Sequence, residues 1–435
     1  MKRLTARMLV ISFDCLSALD YPLIRDLPHF REVLSKGSLA PRVKTIYPSL
    51  TYPCHTTIVT GRYPKNHGII HNTLIQPGRH SPDWNWYRSK ISGTTLYDEA
   101  NKAKMKTAAL LWPVTGRAQI NYNLPEIFPN RWWQTQLLVS LFSGTPAYQW
   151  ELNKRFGHLR NGIKQPELDD FVLASSVHTI EAYQPDLMMV HFTDLDSMRH
   201  YHGFSSPEAT AAIKRLDERL GAILGALKRK KLYDETTIIV LGDHSALDEN
   251  KAIHMNVLLK ENSWLSVNHR SQISKWRVYC KSCDGSAYIY IKDKKDKTLK
   301  TQVKAFLYSL QQNPANGIED VLSGNEAARM GADPECSFML EARRGFYFLD
   351  DVSEDFIEPI QEHDEQKKHI LATHGYSPNK ADYHTIFMAS GKGIKKDVTV
   401  SHIDLVDIGP TLAALLGLDL GKTDGHVVKE FLTIE

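Results

Sequence analysis

Carboxylates recur after short apolar runs in this chain, and metal chemistry is what that recurrence could support. Asp14 follows Met8–Phe13, Asp194 and Asp196 follow Leu187–Phe192, and Asp243-His244 follows Thr237–Leu241. Asp196 and His200 stand four residues apart, so on a helical turn they face one side. A buried acid and an imidazole at that spacing suit a metal such as zinc. The plainer reading is a capping Asp beside surface histidines. A hydroxyl stands apart from these at Thr51, in Tyr47-Pro-Ser-Leu-Thr51-Tyr-Pro, just before a helical stretch His55–Thr60 that ends at Gly61. A hydroxyl near a helix start is placed to attack phosphorus, because the amides there favour an anion. Such a residue is also an ordinary N-cap. His374, in Ala-Thr-His-Gly, is a further element. Three carboxylates, three imidazoles and a hydroxyl thus fall at strand ends or adjacent turns.

The elements that must position them read as alternating strands and helices. Met8–Phe13, Ala108–Leu111, Leu187–Phe192, Thr237–Leu241 and Thr385–Met388 have the apolar texture of strands buried on both faces of a parallel sheet. Thr94–Lys104, Val172–Ala182 and Pro207–Arg229 read as helices between them, the last with Ala212, Leu216, Leu220 and Leu224 along one stripe. Right-handed βαβ crossovers and an open, doubly wound α/β sheet follow. Sites in such sheets lie beyond the carboxyl ends of the strands, where Asp14, Asp196 and Asp243 fall. Residues 246–368 differ in texture: they are lysine-rich, alternate over Ser286–Lys292, hold a helix at Leu299–Gln311 and end in the polar run Asp350–Lys368. They read as an inserted α+β cap subdomain between core segments 1–245 and 369–435. The Trp- and Tyr-rich stretch Asp83–Asn161 reads as a second, smaller insertion over the pocket. Leu405–Leu416 reads as a core helix rather than an association surface.

Bulk composition is that of a globular protein. The 435 residues are 42% hydrophobic and 24% charged, with 53 Lys+Arg against 50 Asp+Glu. So balanced a charge gives no support for a dedicated nucleic-acid or membrane surface. The apolar run after the basic start spans only Met8–Phe13, shorter than the ~7–15 residues of a signal-peptide core. No stretch approaches the ~20 apolar residues of a membrane span. A soluble, cytoplasmic protein is the expectation. The cysteines, at Cys15, Cys54, Cys280, Cys283 and Cys336, are odd in number and sparse, unlike a secreted disulfide framework. Cys280-x-x-Cys283 lacks the second pair that a zinc knuckle needs.

Taken in order, Asp14, Thr51, Asp196-x-x-x-His200, Asp243-His244 and His374-Gly-Tyr resemble the alkaline phosphatase superfamily, and most closely its nucleotide pyrophosphatase/phosphodiesterase branch. Val59-Thr-Gly-Arg-Tyr-Pro-Lys-Asn-His-Gly68 is similar to that branch's T-G-x-Y-P-x-x-H-G signature. The resemblance spans Met8 to about Leu416. It implies an alkaline phosphatase-like core and a two-metal hydrolase of phosphate esters, most directly phosphodiesters. One metal would be held by Asp14, Thr51, Asp243 and His244, the other by Asp196, His200 and His374. The implied ions are Zn2+, with Mn2+ as the alternative. Three carboxylates and a threonine alkoxide balance two divalent cations, and two such ions clamp the attacking and leaving oxygens of an in-line displacement. Thr51 would be the nucleophile, forming a phospho-threonine that water hydrolyses.

The same resemblance places an oxyanion donor at Asn72, in His67-Gly-Ile-Ile-His-Asn72. Asp194, His202, His67 and His71 are read as lying outside the ligand set. Trp84, Trp86, Tyr87 and Trp112 are candidate stacking surfaces for a flat group such as a nucleobase. The chain departs from the branch at Cys54, where Asn is frequent, and at Ser245, where Gly is. The expected partner is a small phosphate ester, nucleotide-derived in the leading reading; nothing sets the oligomeric state. The alternatives are a phosphomonoesterase, for which no third-metal motif is found, and a phosphonoacetate hydrolase. The latter needs a cation for the substrate carboxylate, and Lys44 is the candidate. A metal-stabilised binding protein is the remaining class, against which the nucleophile Thr51 argues.

Overall fold

The computed structural model describes residues 3–79, 81–352, 355–360 and 369–433. Positions 1–2, 80 and 434–435 of the expected core, and 353–354 and 361–368 of the expected inserted stretch, lie outside the described residues. A nine-stranded sheet forms the centre, ordered Val398–Thr399, Gly37–Lys44, Thr385–Gly391, Thr236–Leu241, Arg7–Phe13, Leu187–Phe192, Thr107–Leu110 and Tyr122–Leu124, with Ile403–Asp404 also on Gly37–Lys44. Arg7–Phe13 runs parallel to both Leu187–Phe192 and Thr236–Leu241. Thr385–Gly391 runs antiparallel to its two neighbours. The sheet is therefore mostly parallel, and its central strands are buried except at Arg7.

Helices cover both faces. Pro207–Arg229 starts at Ser206, whose side chain accepts from the Ala209 amide, and buries Leu216, Leu220 and Leu224 against one face. Thr51–Thr60 and Ile408–Leu416 pack on the other face with Phe387 and Ile239. Leu96–Lys102 begins with a capping box between Thr95 and Asp98.

The stretch Asp83–Asn161 is not a separate insertion. It supplies Thr107–Leu110 and Tyr122–Leu124 to the central sheet, and only its later part, with the helices Gln136–Leu141 and Pro146–Phe156, lies at the rim. The edge strand Tyr122–Leu124 is three residues long, too short to show a period in sequence. Within 246–360, Val278–Cys283, Ser286–Ile291, Phe338–Ala342 and Ile318–Ser323 form a separate antiparallel sheet. The helix Lys297–Gln311 packs against it through Leu299, Val303 and Leu307. Cys280 and Cys283 are buried, unpaired thiols in the first of these strands.

Candidate active site

Three parallel strands end side by side, so their next residues meet at one edge. Asp14 leaves Arg7–Phe13 and Asp243-His244 leaves Thr236–Leu241. Cys15, in the left-handed region at φ 65°, turns the chain and donates its N–H to Asp243 Oδ1 at 3.1 Å. His244 donates through Nδ1 to the Ser245 carbonyl at 3.2 Å. That leaves Nε2 facing Asp14 Oδ1 at 3.3 Å, Asp243 Oδ2 at 3.2 Å and Thr51 Oγ1 at 3.4 Å. Ser245 has no positive φ, so serine costs nothing where glycine is frequent.

The second group is carried by the helix Asp194–His202, which follows Leu187–Phe192. Asp169 accepts the Thr193 and Asp194 amides at 3.1 and 3.0 Å and so caps its start from outside. Asp194 itself is buried and clamped by Arg215 and Arg219. It anchors the helix, while Asp196 and His200 point away from it to the sheet edge. His200 donates Nδ1–H to the Ala372 carbonyl at 2.7 Å and keeps Nε2 on Asp196 Oδ2 at 3.1 Å. This partner fixes the ring so that Nε2 is the free donor atom. His374 Nε2 lies 3.9 Å from Asp196 Oδ1, and its ring stacks on His244 at 4.0 Å. Gly375, next to it, sits at φ 84° with a Cβ position 1.8 Å from the Cys283 carbonyl oxygen, so only glycine passes here. Gly285 donates to the His374 carbonyl at 2.8 Å, which ties the smaller sheet to this ligand.

Six of the seven side chains therefore converge in two groups, Asp14, Asp243 and His244, and Asp196, His200 and His374, with the Thr51 hydroxyl beside His244. Within each group the ligand atoms lie within 4.8 Å of one another. Asp14 Oδ1, Asp196 Oδ1, Asp243 Oδ2 and His374 Nδ1 are buried and accept or donate no hydrogen bond among the described residues. Burial, and then the nearby Asp196, push the Asp14 carboxyl up; burial, and then Asp14, push Asp243 well up. Burial also works on Asp196, but His200 and His374 overcome it and hold that carboxyl below its ordinary value. Crowded buried carboxylates with imidazole nitrogens aimed between them are a donor set that fits divalent cations.

Thr51 opens the helix Thr51–Thr60 behind an extended Leu50, with Gly61 at φ 63° ending it. Its hydroxyl faces a cavity of 580 Å³ shared with Asp14, Asp196, His200 and His374. Asn72 lines the same cavity, and its Oδ1 accepts the Tyr52 amide at 2.9 Å, so the NH2 group faces the cavity. Trp84 lines it too, against Tyr52 and Phe128. Trp112 does not: it is fully buried, edge-on to His55 at 4.9 Å, because it fills the core below the site. Trp86 is likewise packed inside, against Tyr87 and Phe128. Lys44 lines a different depression, with Arg329 and Asp404, since its strand pairs there with Ile403–Asp404. His202 is exposed, His67 bonds Thr57 Oγ1, and His71 donates to the Ser282 carbonyl; none of the three joins the cluster.

Two groups escaped the sequence reading. His55 donates Nδ1–H to the Thr51 carbonyl at 2.8 Å, accepts from Ser12 Oγ at 2.9 Å and lies 3.5 Å from Asp243 Oδ2. His191 reaches Asp14 Oδ2 at 3.1 Å and Glu126 Oε2 at 3.4 Å. A polar residue near the end of the apolar strand Leu187–Phe192 was the available signal for His191. Cys54, at the position where Asn is frequent, is buried beside the Thr45 hydroxyl at 3.4 Å, outside the cavity.

Known proteins resemble this chain over most of its length. The human ectonucleotide pyrophosphatase/phosphodiesterase family member 5 is 23% identical over 423 residues, which cover 95% of this chain and 74% of that protein. The bis(5'-adenosyl)-triphosphatase ENPP4 of Pongo abelii is 22% identical over 441 residues, 97% of this chain and 80% of that protein. The structure of murine ectonucleotide pyrophosphatase/phosphodiesterase 5, an inactive form in complex with AMP, superposes with a TM-score of 0.68 at 21% identity, covering 98% of this chain and 100% of that one. This likeness shows the alkaline phosphatase-like fold. The model of the type I phosphodiesterase/nucleotide pyrophosphatase family matches residues 8–377. The chain belongs to that family and is a hydrolase of phosphate esters.

Proposed function

We propose that the chain is a two-metal phosphodiesterase in which Thr51 is the nucleophile and the substrate is a small nucleotide-derived diester. The observation that carries this reading is the pair of ligand groups, one of them 3.4 Å from the Thr51 hydroxyl through His244, with Thr51, Asp14, Asp196, His200 and His374 lining one cavity. Asp14, Asp243 and His244 would hold one ion together with Thr51, and Asp196, His200 and His374 the other. The mixed nitrogen and oxygen donors support zinc. Bound there, two divalent cations supply the positive charge and Lewis acidity that an anionic phosphoryl group needs.

The chain's own residues do the rest. The Thr51 oxygen attacks phosphorus while the leaving oxygen departs in line. The open helix start at Thr51 favours the charge that develops, and the Asn72 amide donates to a phosphoryl oxygen. Water then cleaves the threonyl ester. Trp84, with Tyr52 and Phe128 behind it, offers an aromatic wall to a nucleobase. The AMP in the murine structure and the name of the Pongo relative support a nucleotide substrate. The described part of the inserted stretch steadies His374 through the Gly285 N–H, which donates to the His374 carbonyl. Five buried, unpaired cysteines support a reducing, cytoplasmic setting.

Turnover of bis-p-nitrophenyl phosphate, p-nitrophenyl phosphate and phosphonoacetate by the zinc-loaded protein tests this reading. The diester is expected to be preferred. Faster cleavage of the monoester or of phosphonoacetate overturns the diester assignment. Lys44 lies away from the cavity and so does not serve as the carboxylate-gripping cation of the phosphonoacetate reading.

A further inference from the structure

We propose that the outer rim of the catalytic cavity docks on an anionic lipid surface. Large apolar side chains standing in water are concentrated in one stretch of the chain. Trp132 is 92% exposed, Phe142 72%, Ile163 70%, Trp133 62%, Leu138 50% and Leu137 48%. Trp150 joins them; outside residues 132–163 only Leu19, Tyr201 and Tyr308 are comparable among the described residues. Single exposed apolar residues need no explanation, whereas a concentration of them marks an interaction surface.

The stretch is continuous with the catalytic cavity. On the helix Gln136–Leu141, Gln136 and Ser140 are one turn apart, are joined by a hydrogen bond of 2.8 Å and line the cavity. Leu137 and Leu138 are turned out to solvent. One short helix is thus both cavity wall and outer apolar surface. Across the mouth, Gly157, Arg160, Gly162 and Ile163 complete the lining. Arg131 pairs with Asp83 and donates to the Ser81 carbonyl, which fixes the base of the rim. Directly after it, Trp132 and Trp133 pack edge-on at 5.6 Å and project outward.

Charge selects the occupant. Residues 131–164 contain five basic side chains, Arg131, Lys154, Arg155, Arg160 and Lys164, against the single acid Glu151. The near-neutral balance of the whole chain conceals this local excess. Arg131 and Arg155 are paired with Asp83 and Glu151, while Lys154 and Lys164 stand in water. Tryptophans beside lysines are the combination that settles at the boundary between lipid headgroups and acyl chains, and lysines near an anionic leaflet add attraction. A second copy of the chain would bring the same basic excess against itself, which disfavours self-association through this face.

Flotation with lipid vesicles tests the proposal. The wild type is expected to float with vesicles of phosphatidylcholine containing phosphatidylglycerol, to stay behind with phosphatidylcholine alone, and to be released by salt. The double variant Trp132→Ser/Trp133→Ser is expected to lose flotation by about tenfold or more, with an unchanged melting midpoint and unchanged turnover of soluble bis-p-nitrophenyl phosphate. Three results overturn the proposal: no flotation of the wild type, equal flotation of the double variant, or no preference for phosphatidylglycerol. Concentration-dependent dimers in sedimentation that the double variant abolishes would assign the face to a second copy and overturn it as well.

Discussion

At the scale of single residues, what matters is which atom of each side chain faces the cavity. His200 and His244 spend their Nδ1 hydrogens on the Ala372 and Ser245 carbonyls, so both present Nε2. Asn72 gives its oxygen to the Tyr52 amide and presents its NH2. The Asn72→Asp variant keeps the acceptor and removes the donor. It is expected to lower kcat by about a hundredfold with little change in KM, which steady-state kinetics on a diester will check; an unchanged kcat removes Asn72 from the site. The residue types and their order were legible in the sequence because strand ends deliver their successors to one edge. His55 and His191 were not, because one stands among threonines in a helix and the other alone in an apolar strand. Their side-chain partners lie far away in the chain, Ser12 at 43 residues and Asp14 at 177.

Elements were legible where they are long and periodic. Pro207–Arg229 and Leu187–Phe192 have the limits that the sequence suggested, since a cap or an abrupt change of polarity marks each end. The helix that carries Thr51 was read from His55 but starts at Thr51, because Pro53 in its first turn looks like a breaker although it fits there. The membership of 83–161 was misjudged for the opposite reason: aromatic residues suggested an insertion, and the edge strand is too short to announce itself. Gly61 shows how strictly one element end is specified. It holds φ 63°, and a Cβ there would meet Pro410 Cδ at 2.6 Å. Gly61→Ala is expected to destabilise the fold by about 1–2 kcal/mol, from the left-handed backbone alone, with the clash adding to it. Urea unfolding measures this; an unchanged midpoint would contradict both the backbone cost and the clash.

At the scale of the whole molecule, the candidate ligands run from Asp14 to His374: parallel strands bring Asp14, Asp196 and Asp243-His244 to one carboxyl edge, and His374 joins them from the short strand Ala372–Thr373 of another sheet. The smaller sheet adds its part through the Gly285 and Cys283 contacts around His374. In the proposed arrangement six side chains would hold the ions and a seventh, Thr51, would both touch an ion and do the chemistry. Metal content and turnover should therefore separate when only Thr51 is changed. The measurement that tests this most directly is the Thr51→Ala variant, with metal counted per chain and bis-p-nitrophenyl phosphate turnover measured on the same sample. The account predicts close to the wild-type metal content, with turnover reduced by about a thousandfold or more. Turnover that survives at a rate near the wild type, with the metals in place, would contradict it.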